Sequence, residues 1–303
     1  MDGIINLKKD AGMTSHTAVA RIRKIIGQKK AGHPGTLDPE ATGVLPILLG
    51  SATKTSDYFL NIGKSYVAGV RFGIKTSTQD VWGETLETSS ERPSSFDEVA
   101  AALKGFEGNI LQVPPMYSAL KRDGVPLYKL ARRGEEIDVE ARPVHVYETK
   151  LLSFDGNTAK IYVHCGRGTY IRTIVNDLGD SLGCLAAMES LERTSYGRFN
   201  IENAVTLETL EKEFAEDPLT AEKTYVMGIE TVFEGCPRVV LNKTNVSRYM
   251  QGKTIALPLK NLPDTGKDLC LYNDEGVLFA TCDWLRREDG LAVLSHGRFF
   301  NNL

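Results

Sequence analysis

Residues 32–46 read G-H-P-G-T-L-D-P-E-A-T-G-V-L-P and leave the chain little choice there. Gly32, Pro34, Gly35, Pro39 and Gly43 punctuate the run. Each proline fixes φ and removes a donor, and each glycine admits φ > 0. The run therefore predicts a loop of nearly fixed path and excludes a helix interior or a central strand. Asp38 stands in its middle. A rigid loop presenting one carboxylate suits a site that must hold a reactive group in place. The alternative is a tight turn in which Asp38 bonds its own backbone.

The totals set the frame. With 303 residues, 42% hydrophobic and 25% charged, the chain has ordinary globular composition and can bury a sizeable core. Its length predicts one large domain with a small one, or two domains. The five cysteines, Cys165, Cys184, Cys236, Cys270 and Cys282, are odd in number, and no two stand two or four apart. That spacing argues against a disulfide framework and against a zinc site. The N-terminus lacks an apolar signal region, and no run of about eighteen apolar residues follows, so neither secretion nor a membrane span is predicted. A reducing cytoplasm is the simplest home. Net charge is −3, yet residues 1–75 hold eleven Lys or Arg against five Asp or Glu. That segment carries +6 and the remainder −9, which fits one polyanion-binding face on an acidic chain.

Along the chain, Ile4–Leu7 predicts a strand. Thr14 or Ser15 caps a helix whose Ala18, Val19, Ile22, Ile25 and Ile26 form one stripe, with Gly27 as the stop. Its other face carries Arg21, Arg23 and Lys24, with Lys29 and Lys30 beyond, all available to phosphate. Gly43–Leu49 is apolar and buried, and Ser51 or Thr53 starts a helix to about Leu60. Residues 64–74 alternate as a strand with Tyr66 near its start. Ser95 or Asp97 caps a further helix. From 121 to 133 five cations and one anion follow Tyr117 and surround Tyr128, a composition that suits an RNA clamp. Val144–Phe154 and Ala159–Cys165 are strands joined by D-G-N. G-R-G-T-Y-I-R lacks the third glycine of a dinucleotide fingerprint, because position 171 is Ile. Arg172 then opens a helix, and Ala186–Leu191 leads to a second junction at E-R-T-S-Y-G-R-F. An acidic helical stretch fills 204–233. Short apolar runs from about Cys236 predict a small β-barrel. P-loop, H-E-x-x-H, G-x-S-x-G and deaminase patterns are all missing.

The loop motif resembles the catalytic-Asp motif of the TruB-type tRNA pseudouridine synthases. Further blocks of that family follow in order: K-S-Y at 64–66, V-P-P-M-Y-S-A-L-K at 113–121, R-P-V at 142–144 and G-T-Y-I-R-T-I-V-N-D-L-G at 168–179. The resemblance covers most of residues 1–200. It implies an α+β pseudouridine synthase fold with a mixed, mostly antiparallel sheet, catalytic over 1–233 with an RNA clamp inserted at about 116–143. Residues 234–303 resemble, more weakly, the RNA-binding PUA-like tail, although this tail is not basic.

By the resemblance the substrate is uridine 55 in the T-loop of transfer RNA, flipped out of its stack. The partner is the T-arm stem-loop. No guide RNA, membrane, metal or cofactor takes part, and the protein acts as a monomer. Asp38 carries the chemistry, by attack at C1′, by attack at C6, or by taking a sugar proton. Arg172 holds it charged and oriented. Tyr66 stacks on the uracil and takes the C5 proton late. His33 helps displace the base, and Tyr170 and Leu191 line the uracil pocket. Two other classes compete: an RNA-binding or chaperone module without catalysis, and a carboxylate hydrolase, which would want a paired acid or a metal.

Overall fold

Alternation, caps and turn residues set most elements where the sequence predicts them. The computed structural model describes residues 1–118, 120–122, 124–131, 133–135, 137–258 and 263–300; Asp123 and Arg132 of the basic run lie outside them. In chain order come β1 (Gly3–Lys9), α1 (Ser15–Ile25), β2 (Ala31–Gly32), β3 (Thr42–Leu49), a 3-10 segment at Gly50–Asn61, β4 (Lys64–Phe72), β5 (Ile74–Thr76) and β6 (Thr85–Thr88). Next are α2 (Phe96–Lys104), β7 (Gly108–Gln112), β8 (Lys121–Arg122), β9 (Val125–Pro126), α3 (Leu127–Ala131), β10 (Arg142–Phe154) and β11 (Thr158–Cys165). Then follow α4 (Ile171–Ser181), β12 (Ala186–Tyr196), β13 (Phe199–Asn200), β14 (Val205–Thr206), α5 (Leu207–Glu216) and α6 (Pro218–Tyr225). The C-terminal part holds β15 (Arg238–Val240), α7 (Lys243–Met250), β16 (Ile255–Leu257), β17 (Thr265–Tyr272), β18 (Leu278–Arg286), β19 (Ala292–Leu294) and β20 (Arg298–Phe299).

Ten strands make the main sheet, in the order β14-β1-β3-β12-β4-β11-β10-β7, with β2 on β3 and β13 on β12. Only the pairs β1 with β14 and β3 with β12 are parallel, so the sheet is mixed and mostly antiparallel, and the fold is α+β. Helices α1 and α4 pack their apolar stripes on it: Ala18, Val19 and Ile22 from one, Ile171, Ile174, Val175 and Leu178 from the other. Thr14 caps α1 by accepting from the Thr17 N–H at 3.0 Å, and Ser95 caps α2. No helix among the described residues is long and apolar enough to cross a membrane.

Four expectations need correction, the last of them in the C-terminal sheet. The loop does not last to residue 46: β3 begins at Thr42 and is an interior strand that contains Pro46. Its second edge pairs with β12 only at Thr42 and Gly43, and with β2 only at Leu48 and Leu49, so 44–47 tolerates a residue without an N–H. Gly43 sits at φ 100, and a Cβ there would lie 2.3 Å from the Arg193 carbonyl; only glycine lets β3 and β12 meet. Residues 192–196 are not a junction, because β12 runs unbroken from Ala186 to Tyr196 with bulges against β4. The segment after Leu49 is a 3-10 helix, and it has no side-chain cap.

The C-terminal sheet, β15-β17-β18-β19-β16 with β20 on β18, is open rather than a closed barrel among the described residues. Its two end strands are three residues each. Between them in sequence stands α7, which the sequence reading missed and which supplies Tyr249 to the sheet's apolar cluster. This part is not separate from the rest. Phe59, Tyr196, Phe233, Cys270 and Phe300 share one cluster, Tyr58 bonds Thr281 at 2.6 Å, and Arg298 bonds Asp57 at 3.0 Å.

Candidate active site

The loop at 33–41 is fastened from three sides. Ser15, at the first turn of α1, donates to the Leu37 carbonyl at 3.1 Å and accepts from the Leu37 N–H at 2.9 Å. Lys9, at the end of β1, is wholly buried and donates to the carbonyls of Asp10, Met13 and Pro39 at 2.8–2.9 Å. Arg193, on β12, donates to the carbonyls of Val44 at 2.7 Å and Gly35 at 3.3 Å. Asp38 therefore projects from a backbone held on both sides of it, with its side chain 44% exposed.

Across from it α4 starts at a fixed point. The buried Gln112 side chain accepts from the Tyr170 N–H at 2.8 Å and donates to the Tyr170 carbonyl at 3.0 Å. One residue into the helix, Arg172 is 6% exposed and places Nε 3.1 Å from Asp38 Oδ2. The same guanidinium donates to the carbonyls of Thr78 and Tyr117 at 3.0 and 2.9 Å, and Asp80 Oδ2 lies 3.7 Å from its Nη1. A buried guanidinium with its donors committed to carboxylate and carbonyl oxygens is a rigid orienting group.

Tyr66 is buried on β4, directly across the β4–β12 pair from Arg193. Burial pushes its phenol up to about 12, while the Arg193 guanidinium pulls it down. Burial also raises the Tyr170 phenol, opposed by the Arg172 charge. His33 is lowered, first by burial and then by the Arg193 charge, and its Nδ1 is buried without a partner. Leu191 is buried in the main core, two residues before Arg193 on the inward phase of β12. Lys64 sits 4.4 Å from the Tyr196 ring centroid, and burial lowers it to about 8.

Asp38, Tyr66, Arg172, His33, Tyr170 and Leu191 come from four separated segments, and the Asp38, Arg172 and Arg193 side chains link the first five of them. Four residues that fasten them escaped the sequence reading: Lys9, Ser15, Gln112 and Arg193. Two carried a signal, since Lys9 follows Ile5 and Leu7, and Arg193 follows Leu191, at strand period two. Two cations expected to meet phosphate are occupied elsewhere: Arg21 pairs with Glu211, and Arg23 donates to the Ala31 carbonyl. Lys24, Lys29 and Lys30 are exposed. Among the described residues no cluster of His, Cys, Asp and Glu is arranged to hold a metal ion.

A family model described as TruB family pseudouridylate synthase (N terminal domain) matches residues 23–171, and one described as tRNA pseudouridylate synthase B C-terminal domain matches 172–234. Their seam falls inside α4, and both matched segments contribute strands to the main sheet. The tRNA pseudouridine synthase B of Stutzerimonas stutzeri is 43% identical over 258 residues, 85% of this chain and 84% of that protein. That of Pseudomonas aeruginosa (strain UCBPP-PA14) is 44% identical over 260 residues, with the same two shares. Among solved structures, a chain of the archaeal box H/ACA sRNP Nop10-Cbf5 complex superposes with a TM-score of 0.74 at 26% identity, over 99% of this chain and 86% of its own. A chain of an H/ACA RNP bound to a substrate RNA containing 2'-deoxyuridine gives 0.75 at 27%, over 98% and 84%.

Proposed function

The chain belongs to the TruB family of pseudouridylate synthases, and from that premise we propose that it isomerises uridine to pseudouridine at position 55, in the T-loop of transfer RNA. The reaction breaks the bond from N1 to C1′, turns the uracil, joins C1′ to C5 and releases the C5 proton. The observation that carries this reading is the Asp38–Arg172 pair, 3.1 Å apart on a fastened loop beside a buried tyrosine.

Asp38 is the reactive group, whether it attacks C1′, attacks C6 or takes a sugar proton, and Arg172 keeps it oriented. Tyr66 stacks against the flipped base. With its phenol near 12 it stays protonated at neutral pH. It accepts the C5 proton only as its phenolate, the form that the neighbouring Arg193 charge favours. His33, Tyr170 and Leu191 shape the pocket that receives the base. We assign residues 1–233 to the catalytic domain, with the clamp at 116–143. Residues 234–303 are read as a PUA-like RNA-binding half-barrel; the near-complete coverage of the chain by the H/ACA structures supports this. The relatives' names support transfer RNA as the substrate.

The test uses transfer RNA labelled with tritium at C5 of uridine. The wild-type protein, with nothing added, releases one tritium per RNA, and RNA carrying cytidine at position 55 releases none. Release that is unaffected by that replacement overturns the position; no release from any transfer RNA overturns the reaction.

A further inference from the structure

Arg172 does more than meet Asp38. Through the Thr78 and Tyr117 carbonyls it ties two loops at the rim of the site to the same carboxylate. The first of these loops joins β5 to β6 and is held in one conformation. The Val81 N–H donates to the Met188 carbonyl, and the Met188 N–H to the Gln79 carbonyl, both at 3.0 Å. Gln79 sits at φ 63, a region a non-glycine residue keeps only when its surroundings hold it there. The Trp82 N–H donates to Asp80 Oδ1 at 3.2 Å, and the other oxygen of that carboxylate faces Arg172.

The Trp82 backbone is therefore fixed beside the site, yet its side chain is 52% exposed. A single exposed ring is ordinary on a protein surface, but this one stands on a fixed backbone next to the acid that faces Arg172. Nucleobases offer faces of matching size. Stacking on an aromatic side chain is how unpaired nucleotides are gripped, whatever their sequence.

We propose that Trp82 is a stacking subsite for an unpaired nucleobase of the RNA, next to the uridine that enters the Asp38 site. The proposal rests on the function given above for the identity of the RNA. Because the indole is not what bonds Asp80, replacing it leaves the Arg172 contacts in place.

The chain has two tryptophans, and Trp284 is buried in the C-terminal sheet with its Nε1 bonded to the Pro263 carbonyl. Tryptophan emission is thus a local probe. A T-arm stem-loop should quench the wild-type protein, and Trp82→Phe should abolish the quench while binding nearly as tightly. Trp82→Ala should bind the stem-loop about tenfold more weakly and the loopless stem duplex unchanged. The proposal is overturned if the quench persists in Trp82→Phe, or if Trp82→Ala binds the stem-loop as tightly as wild type. Tritium release by the wild-type protein separates the two readings. Quenching without release keeps the subsite and removes the isomerase; release without quenching does the reverse.

Discussion

At the residue scale, what Arg172 and Tyr66 can do is set by their surroundings. Arg172 spends its donors on one carboxylate and two carbonyls, so Arg172→Ala frees Asp38 and leaves buried acceptors unpaired. Turnover should fall by about 100-fold or more while RNA affinity changes only severalfold, as single-turnover and filter-binding assays would show. Equal loss of both would mean that the pair serves binding rather than chemistry. Tyr66 has its phenol raised from about 10 in the unfolded chain to about 12 in the fold, chiefly by burial. A raised acid favours the folded state below its unfolded value, so its contribution is whole below pH 10 and is lost as pH climbs to 12. Melting temperature should drop across that window, and by less in Tyr66→Phe; identical alkaline profiles would contradict the burial. The pairing of Asp38 with Arg172 was legible because turn chemistry and family motifs mark both. Arg193 carried only its strand phase after Leu191 as a signal, because an arginine 1% exposed and bonded to carbonyls leaves no charge partner to find in the sequence.

At the element scale the site is a loop clamped between α1, β1 and β12. Ser15 satisfies both the N–H and the carbonyl of Leu37, the residue before Asp38. Ser15→Ala should cost about 1–3 kcal/mol in thermal stability. It should lower kcat at least tenfold with little change in KM, since loop placement and not RNA contact is lost. A normal kcat would show that the loop keeps its path without the hydroxyl. Sequence periodicity located β1, β4, β10 and β11 and the helices α1, α2 and α4, since strong apolar patterns and caps mark them. It stopped at β3 because Pro46 and Gly43 argue for a loop, and only the partly unpaired edge of that strand reconciles them with a sheet. It divided β12 because Glu192 and Arg193 read as a polar break, when one of them points inward to grip the loop. The helix α7 was hidden because it buries only Tyr249.

At the scale of the whole molecule the two sheets lean on a shared apolar cluster that includes Phe233 and Phe300. Removing residues 234–303 would uncover Tyr58, Phe59 and Phe233 and break the Arg298–Asp57 pair. The remaining chain should melt several degrees lower and aggregate, while any fraction that stays folded retains tritium release. An unchanged melting temperature would show that the catalytic part folds independently of the half-barrel. The proposed reaction joins all three scales, with the fastened loop as the element that would present Asp38 to a uridine flipped from the T-loop. The most direct measurement is C5 tritium release from transfer RNA by Asp38→Asn beside wild type, with affinity and melting temperature recorded for both. Asp38→Asn should fold and bind RNA as wild type does and release no tritium above background. Release by Asp38→Asn at a rate near that of wild type would contradict the claim and move the chemistry to another group.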